Sequence, residues 1–367
     1  MGSEKSKTNQ AGKAGPLPLL SKSKVMLGRQ CHKALYLALR QPEMGVEVSA
    51  AQQMIFDQGH EVGELARTWY PGGVLIEAPY WDRELGLRQT QEAIAQGALT
   101  IYEATLEHQD VLVKADILTR SSVRSAWQLI EVKSSTKVKE EHIADVAIQA
   151  WVCEGAGLRL KSVGVMTLNS QCRHPDLSNL FQVTEVSGEL GEVLAELPAT
   201  LQSLRRSLKK SSPPKVPIGP HCDSPYICPF KGPCWAEAGV PDISVFNIPQ
   251  LSQEAKWGYY ESSLVSLQDL DPEAFNANQR RMIQCSLKGR SFVDGPALAV
   301  ALSQWEYPLS FLDFETIAYA IPRYKGAQPL SAAALSVELP YPEQKGRKAS
   351  APGVLAPGGQ RPPQSLL

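Results

Sequence analysis

Two β-rich runs, Asp110 to Leu118 and Trp127 to Lys133, stand close together with the polar loop Thr119 to Ser125 between them, and this arrangement constrains the fold most. Such runs around a short polar loop read as a hairpin or a wider β-connection. Upstream, Met54, Ile55, Val62, Leu65, Ala66 and Trp69 recur at helical spacing from Ala50 to Tyr70, ending before Pro71-Gly72-Gly73. Downstream, Glu140 to Glu154 is a second helical pattern with Ile143, Val146, Ala147 and Ala150 inward, and Ser162 to Leu168 is another strand candidate. The order helix, strands, helix, strand predicts an α/β core with helices packed on a mixed sheet.

Composition sets the outer limits. The chain has 367 residues, 43% hydrophobic and 20% charged, with a net charge of -1. This excludes collagen, coiled coil and wholesale disorder, and gives no overall electrostatic pull toward nucleic acid or acidic membranes. No apolar run approaches the roughly 20 residues that span a bilayer, and Met1 to Leu20 is polar and Lys-rich, so the expected setting is cytoplasmic, with no membrane partner. Seven cysteines, an odd number thinly spread, point to metal ligands or buried thiols rather than a disulfide scaffold.

Residues 1–19 read as a flexible basic tail and residues 20–240 as the main domain. A helix from Glu189 to Lys210 leads through Ser211-Ser212-Pro213-Pro214-Lys215 into a Cys- and Pro-rich segment. Residues 241–305 read as a helical linker, 306–330 as the start of a further domain opening on the strand Tyr307 to Glu315, and 331–367 as a disordered tail rich in Pro and Gly.

Within the strands, Asp116 stands near the end of one run and Glu131-Val132-Lys133 on the next. Strand side chains alternate faces, so Glu131 and Lys133 point one way and Val132 the other, into the core. If the strands are neighbours, Asp116 joins them. Two carboxylates suit a hard cation such as Mg²⁺ or Mn²⁺, and an adjacent ammonium can orient a water or stabilise charge developing at a phosphate. By themselves, these residues read more readily as an exposed Glu–Lys strand pair and an Asp capping a turn.

The pattern D116-x14-E131-V-K133, with Gly59-His60 on the helix upstream and Gln149 on the helix downstream, resembles the PD-(D/E)XK nuclease superfamily in its RecB-like branch, from about Leu20 to Cys234. The resemblance implies a restriction-endonuclease-like core, with Asp116 and Glu131 holding Mg²⁺ or Mn²⁺, His60 as a further ligand, Lys133 in catalysis and Gln149 on the following helix. Where the family pattern continues to a Tyr four residues on, this chain has Cys153. The implied activity is hydrolysis of DNA, single-stranded or at ends, with nuclease or helicase subunits as further partners. The alternative is a catalytically silent DNA-binding or assembly subunit. Glu64, one turn from His60, reads as a solvated helix residue.

Cys222-x5-Cys228-x5-Cys234, among Pro225, Pro229, Gly232 and Pro233, places three thiols in a turn-rich loop, and Cys31 is the candidate fourth. RecB-like groups that carry an iron–sulfur cluster likewise use one N-terminal and three C-terminal cysteines around the nuclease core. Four thiolates can hold a 4Fe–4S cluster or a tetrahedral Zn²⁺, and spacing alone leaves both open. Such a centre would staple the ends of the domain together. Cys153, Cys172 and Cys285 read as buried or incidental. Lys22, Lys24, Arg29 and Lys33, and Arg205, Arg206, Lys209 and Lys210, form two basic stretches near this staple, with Tyr226 and Trp235 close by. They read either as a surface for a phosphate backbone with aromatics to stack on bases, or as solvated faces.

The segment FLDFET, with Asp313 and Glu315 on one face of a strand, resembles the opening motif of a DEDD-type, ribonuclease H-like exonuclease. The order of segments is similar to an uncharacterised bacterial family that pairs both modules. Beyond Glu315 there is no Asp, and Glu338 and Glu343 are the remaining Glu residues, so that second site is expected to be incomplete, with a frameshift or truncation after about Leu330.

Overall fold

The computed structural model describes residues 18–306, 310–340 and 353–355. A two-residue strand, β1 (Leu20–Ser21), leads into α1 (Lys22–Gln30), and Cys31 separates this helix from α2 (His32–Arg40). After α3 (Ala50–Arg67) come β2 (Val74–Leu75), α4 (Arg83–Ala95), β3 (Thr100–His108), β4 (Val111–Thr119) and β5 (Trp127–Val132). Then α5 (Glu140–Gly155) crosses over to β6 (Leu160–Leu168), which is followed by β7 (Phe181–Glu185) and α6 (Gly191–Leu208). The remaining elements are α7 (Lys231–Glu237), α8 (Gln253–Glu261), α9 (Ala277–Leu287), α10 (Gly295–Ser303), β8 (Ser310–Ala318), β9 (Ala332–Pro340) and β10 (Gly353–Leu355).

The mixed seven-stranded sheet runs β2-β3-β4-β5-β6-β7, with β1 added to β4. The β3–β4–β5 ribbon is antiparallel, and β5 and β6 are parallel because α5 carries the chain back between them. This is the helix, strands, helix, strand order expected from the sequence. One face packs Ala115, Leu129, Val163 and Val165 under Val146, Ile148 and Val152 of α5 and Leu197, Leu201 and Leu204 of α6. The other packs Ile117, Ile130 and Met166 against Val62 and Ala66 of α3.

One edge of β4 is shared, and this opens the site. β1 pairs at its start, Leu20 with Val111 and Ser21 with Leu112, whereas β5 pairs at its end, Ile117 with Ile130 through Thr119 with Gln128. Val113 to Asp116 lie between the two partners. On the other edge the β3–β4 register omits Glu103, whose φ is 55°. Left-handed backbone at a glutamate interrupts the regular pleat. As a result Ala115 faces one core and Ile117 the other, two positions along a strand that would otherwise share a face.

Four sequence expectations change. Helix α3 was expected to bury Met54, Ile55 and Trp69, but Met54 is 47% exposed, Ile55 56% and Trp69 40%; Val62 and Ala66 are its fully buried apolar positions, since only its C-terminal half lies over the sheet. Residues 241–305 are more than a linker. Val245, Ile248, Leu267, Leu270, Phe275 and Ile283 form their own small core, while the apolar helix α10 beyond it is exposed throughout. The expected start of a further domain folds back on the first: the Ala320 N–H donates to Gln58 of α3 (2.6 Å), and Arg323 pairs with Glu61 (2.9 Å). The tail expected over residues 331–367 contains β9, antiparallel to β8, and β10; the alternating apolar residues of Leu335, Val337 and Leu339 suit a strand. Its remainder, and residues 1–17 of the expected basic tail, lie outside the described residues.

Candidate active site and thiol cavity

Asp116 and Glu131 are brought together on neighbouring strands. The carboxylate Oδ2 of Asp116 accepts the Val132 N–H at 2.7 Å, taking over from the ladder where β4–β5 pairing ends. Glu131 lies between Ile130 and Val132, both turned to the α3 face, so its side chain points to the α5 face, where it is 2% exposed. Lys133 follows on the same side, and its Nζ donates to Glu131 Oε1 at 2.7 Å. Gln149, fully buried on α5, donates its Nε2 to Glu131 Oε2 at 2.6 Å.

Two further residues complete the cluster, and neither was singled out as a site residue from the sequence. Asp145, one helical turn before Gln149, is bonded by Lys133. Lys22, the first residue of α1, places Nζ 2.7 Å from Glu131 Oε1 and 3.2 Å from Asp145 Oδ1. Lys22, Glu131, Lys133 and Asp145 thus close a ring of two ammoniums and two carboxylates, with Asp116 beside it.

The charges respond accordingly. Burial works against ionisation of Glu131, but the Lys22 and Lys133 ammoniums outweigh it and hold the carboxyl well below its usual range. Burial also works against both lysines, yet Glu131 and Asp145 raise them above the ordinary lysine range. Asp116 is pushed well above the usual carboxylate range by burial and by the Glu131 charge, and Asp145 rises for the same two reasons. His142 on α5, buried and near Lys133, is pushed down to about 4.

His60 is not brought to this cluster. It is exposed on α3, whose buried residues Val62 and Ala66 pack on the opposite face of the sheet, and it makes no hydrogen bond or ion pair among the described residues. Its neighbour Glu61 is engaged with Arg323. Cys153, four residues after Gln149, is fully buried with its thiol pushed up to about 12 by burial.

The four expected cysteines line one narrow cavity, together with Lys33, Ile218, His221 and Phe230. Cys31 is the residue between α1 and α2, Cys222 and Cys228 are linked by a Cys228 N–H to Cys222 C=O bond of 2.8 Å, and Cys234 lies on α7. Burial, with the other three thiols adding to it, pushes Cys228 up to about 11. Gln30, at the end of α1, donates to the backbone carbonyls of His221 (2.7 Å) and Tyr226 (2.6 Å), tying the helix to this loop. Cys172 and Cys285 stand apart from the cavity.

Among the described residues no three His, Cys, Asp or Glu side chains converge at metal-ligand geometry. At the carboxylates the reason is visible, because ammonium groups sit between them. The donor sets nevertheless match their expected occupants. Asp116 and Glu131 offer hard oxygens, and the buried Oε1 of Gln149 beside them has no hydrogen-bond donor. The cavity presents four thiol sulfurs with the His221 ring beside them, donors of the kind that suit zinc or an iron–sulfur cluster. No family model and no curated protein matches the chain.

Proposed function

We propose that the chain is a metal-dependent deoxyribonuclease of the PD-(D/E)XK type, in its RecB-like branch, hydrolysing phosphodiester bonds of DNA that is single-stranded or at ends. The observation that carries this reading is the meeting of Asp116, Glu131, Lys133 and Gln149 at the point where β4 and β5 part. Asp116 and Glu131 would hold Mg²⁺ or Mn²⁺, which when bound supplies positive charge at the scissile phosphate.

The chain's own groups do the rest. Lys133 is charged throughout the physiological range and oriented by Glu131 and Asp145, so it can donate hydrogen bonds to the attacking water or to a phosphate oxygen as negative charge builds there. Gln149 fixes one Glu131 oxygen, and the Val132 N–H fixes one of Asp116, which limits reorganisation at the moment of reaction. Lys22 and Lys133 side chains are each 21% exposed, so solvent reaches the ring from the lysine side.

Cys31, Cys222, Cys228 and Cys234 would together hold a 4Fe–4S cluster or Zn²⁺, a staple closing a long loop in the cytoplasm. The test is Mn²⁺-dependent degradation of end-labelled single-stranded DNA by anaerobically purified protein, comparing wild type with Lys133→Ala. The expected result is cleavage reduced about 100-fold or more in the variant. A wild type that binds DNA with its thiol centre intact but cuts nothing would overturn the reading in favour of a silent binding or assembly subunit.

A further inference from the structure

The two lysines of the ring differ in origin. Lys133 arrives with Glu131 on the same strand, whereas Lys22 comes from 109 residues earlier in the chain. It occupies the first position of α1, directly after the capping residue Ser21, whose hydroxyl accepts from the Lys24 N–H. That is the positive end of the helix dipole, where a cation is disfavoured unless carboxylates compensate it. Glu131 and Asp145 supply that compensation.

Three of the roughly four acceptor positions on Glu131 are taken. Oε1 accepts from Lys22 and Lys133, and Oε2 from Gln149. A divalent cation that binds Oε1 of Glu131 must therefore displace one of its two ammonium donors. Gln149 is fully buried within α5. Lys133 is clamped by Asp145 as well as Glu131, and its backbone N–H is fixed to the Met166 carbonyl at 2.9 Å. Lys22 holds Asp145 more loosely, at 3.2 Å, on a flexible four-carbon stem that is partly exposed.

We propose that Lys22 is an exchangeable internal counter-ion, holding Glu131 while no divalent cation is bound and yielding that oxygen when one arrives. This rests on the assignment of Glu131 as a cation ligand in the nuclease reading. Lys22 is in these terms a positioning residue, setting the cation concentration at which the site loads.

The experiment is calorimetric titration of Mn²⁺ into the full chain without nucleic acid, for wild type, Lys22→Met and Lys22→Arg. Removing a unit charge a few ångströms from the cation should tighten binding by about tenfold or more in Lys22→Met, while Lys22→Arg keeps affinity near wild type. A Lys22→Met protein that melts like wild type yet binds Mn²⁺ no more tightly overturns the proposal.

If Lys22→Met does not fold, acetic anhydride labelling of wild type, read by mass spectrometry, serves instead. Labelling of Lys22, relative to exposed Lys209, should rise severalfold at saturating Mn²⁺, and unchanged labelling overturns the proposal. Cleavage assays on the same samples separate the two readings. Wild type that cuts DNA beside an unchanged Lys22→Met affinity sinks the counter-ion alone. Tighter binding in Lys22→Met beside a wild type that never cuts supports the counter-ion and sinks the nuclease.

Discussion

The carboxylate–lysine ring and the thiol cavity stand at opposite ends of α1, with Lys22 at its first residue and Cys31 just past its last, and they solve the problem of burial differently. The ring buries full charges and neutralises them internally, with each ammonium shared between two carboxylates. The cavity instead gathers thiols, half-buried at Cys31 and Cys234 and buried at Cys222 and Cys228, where burial pushes the Cys228 thiol up. The first arrangement is neutralised as it stands, and a cation taking Glu131 Oε1 would displace an ammonium. On the proposed reading, the second would be completed by a soft metal that displaces the thiol protons. On that reading, a hard site that resists loading and a soft site stabilised by it share one helix.

The largest expected effect is on the soft side. If the cavity holds iron or zinc as proposed, Cys228→Ser should lose that metal, measured by elemental analysis, and more than about 3 kcal/mol of stability, measured by denaturant unfolding, because metal binding there would be coupled to folding. Next, Glu131→Gln leaves two buried ammoniums sharing Asp145, and should cost about 3 kcal/mol in the same unfolding measurement while abolishing cleavage and sparing the cavity's metal. Loss of that metal in Glu131→Gln would break the comparison.

Gly28→Ala tests the shared helix. A Cβ at Gly28 would meet Leu204 at 2.8 Å and Leu35 at 2.9 Å, both fully buried. The expected cost is about 1–2 kcal/mol, accompanied by reduced cleavage and reduced metal retention together. A change in one readout only would show that the two ends act independently.

The smallest effect concerns pH. His142 titrates at 6.5 when unperturbed and at about 4 in the fold, so its neutral form is favoured by folding. That contribution is fully present above about pH 6.5 and is lost as pH falls toward 4, since the unfolded chain takes up the proton first. Neutral His142 also accepts the Lys139 N–H at the start of α5 (3.2 Å). Unfolding free energies at pH 7.5 and 5 should therefore fall by about 1 kcal/mol less in His142→Gln than in wild type.

Much of this architecture is written in local pattern. Asp116 and Glu131 fall on strands whose closeness in sequence makes them antiparallel neighbours, and α5 is visible in Val146, Ala147 and Ala150. Asp145 carried a signal in lying four residues before Gln149, on the same helix face. Lys22 carried one too, since a lysine directly after the capping serine opposes the helix dipole and calls for a carboxylate partner. It blended instead into a basic stretch with Lys24 and Arg29, because its partners are far away in the chain. The exposure of Met54 and Ile55 was not legible, since periodicity marks an apolar face without saying how far the sheet beneath it extends. The position of His60 fails for the same reason: the helix was legible, but not the side of the sheet on which it packs.

The dependence of α1 on distant partners also bears on synthesis. A nine-residue helix is too short to persist alone in water, and Lys22 and Cys31 are made long before Glu131 and Cys234. At ordinary elongation rates the roughly 200 residues separating Cys31 from Cys234 take about 10 to 40 seconds to emerge. Helix α1, though synthesised before the sheet, is therefore expected to be among the last elements to settle, with both sites assembled late.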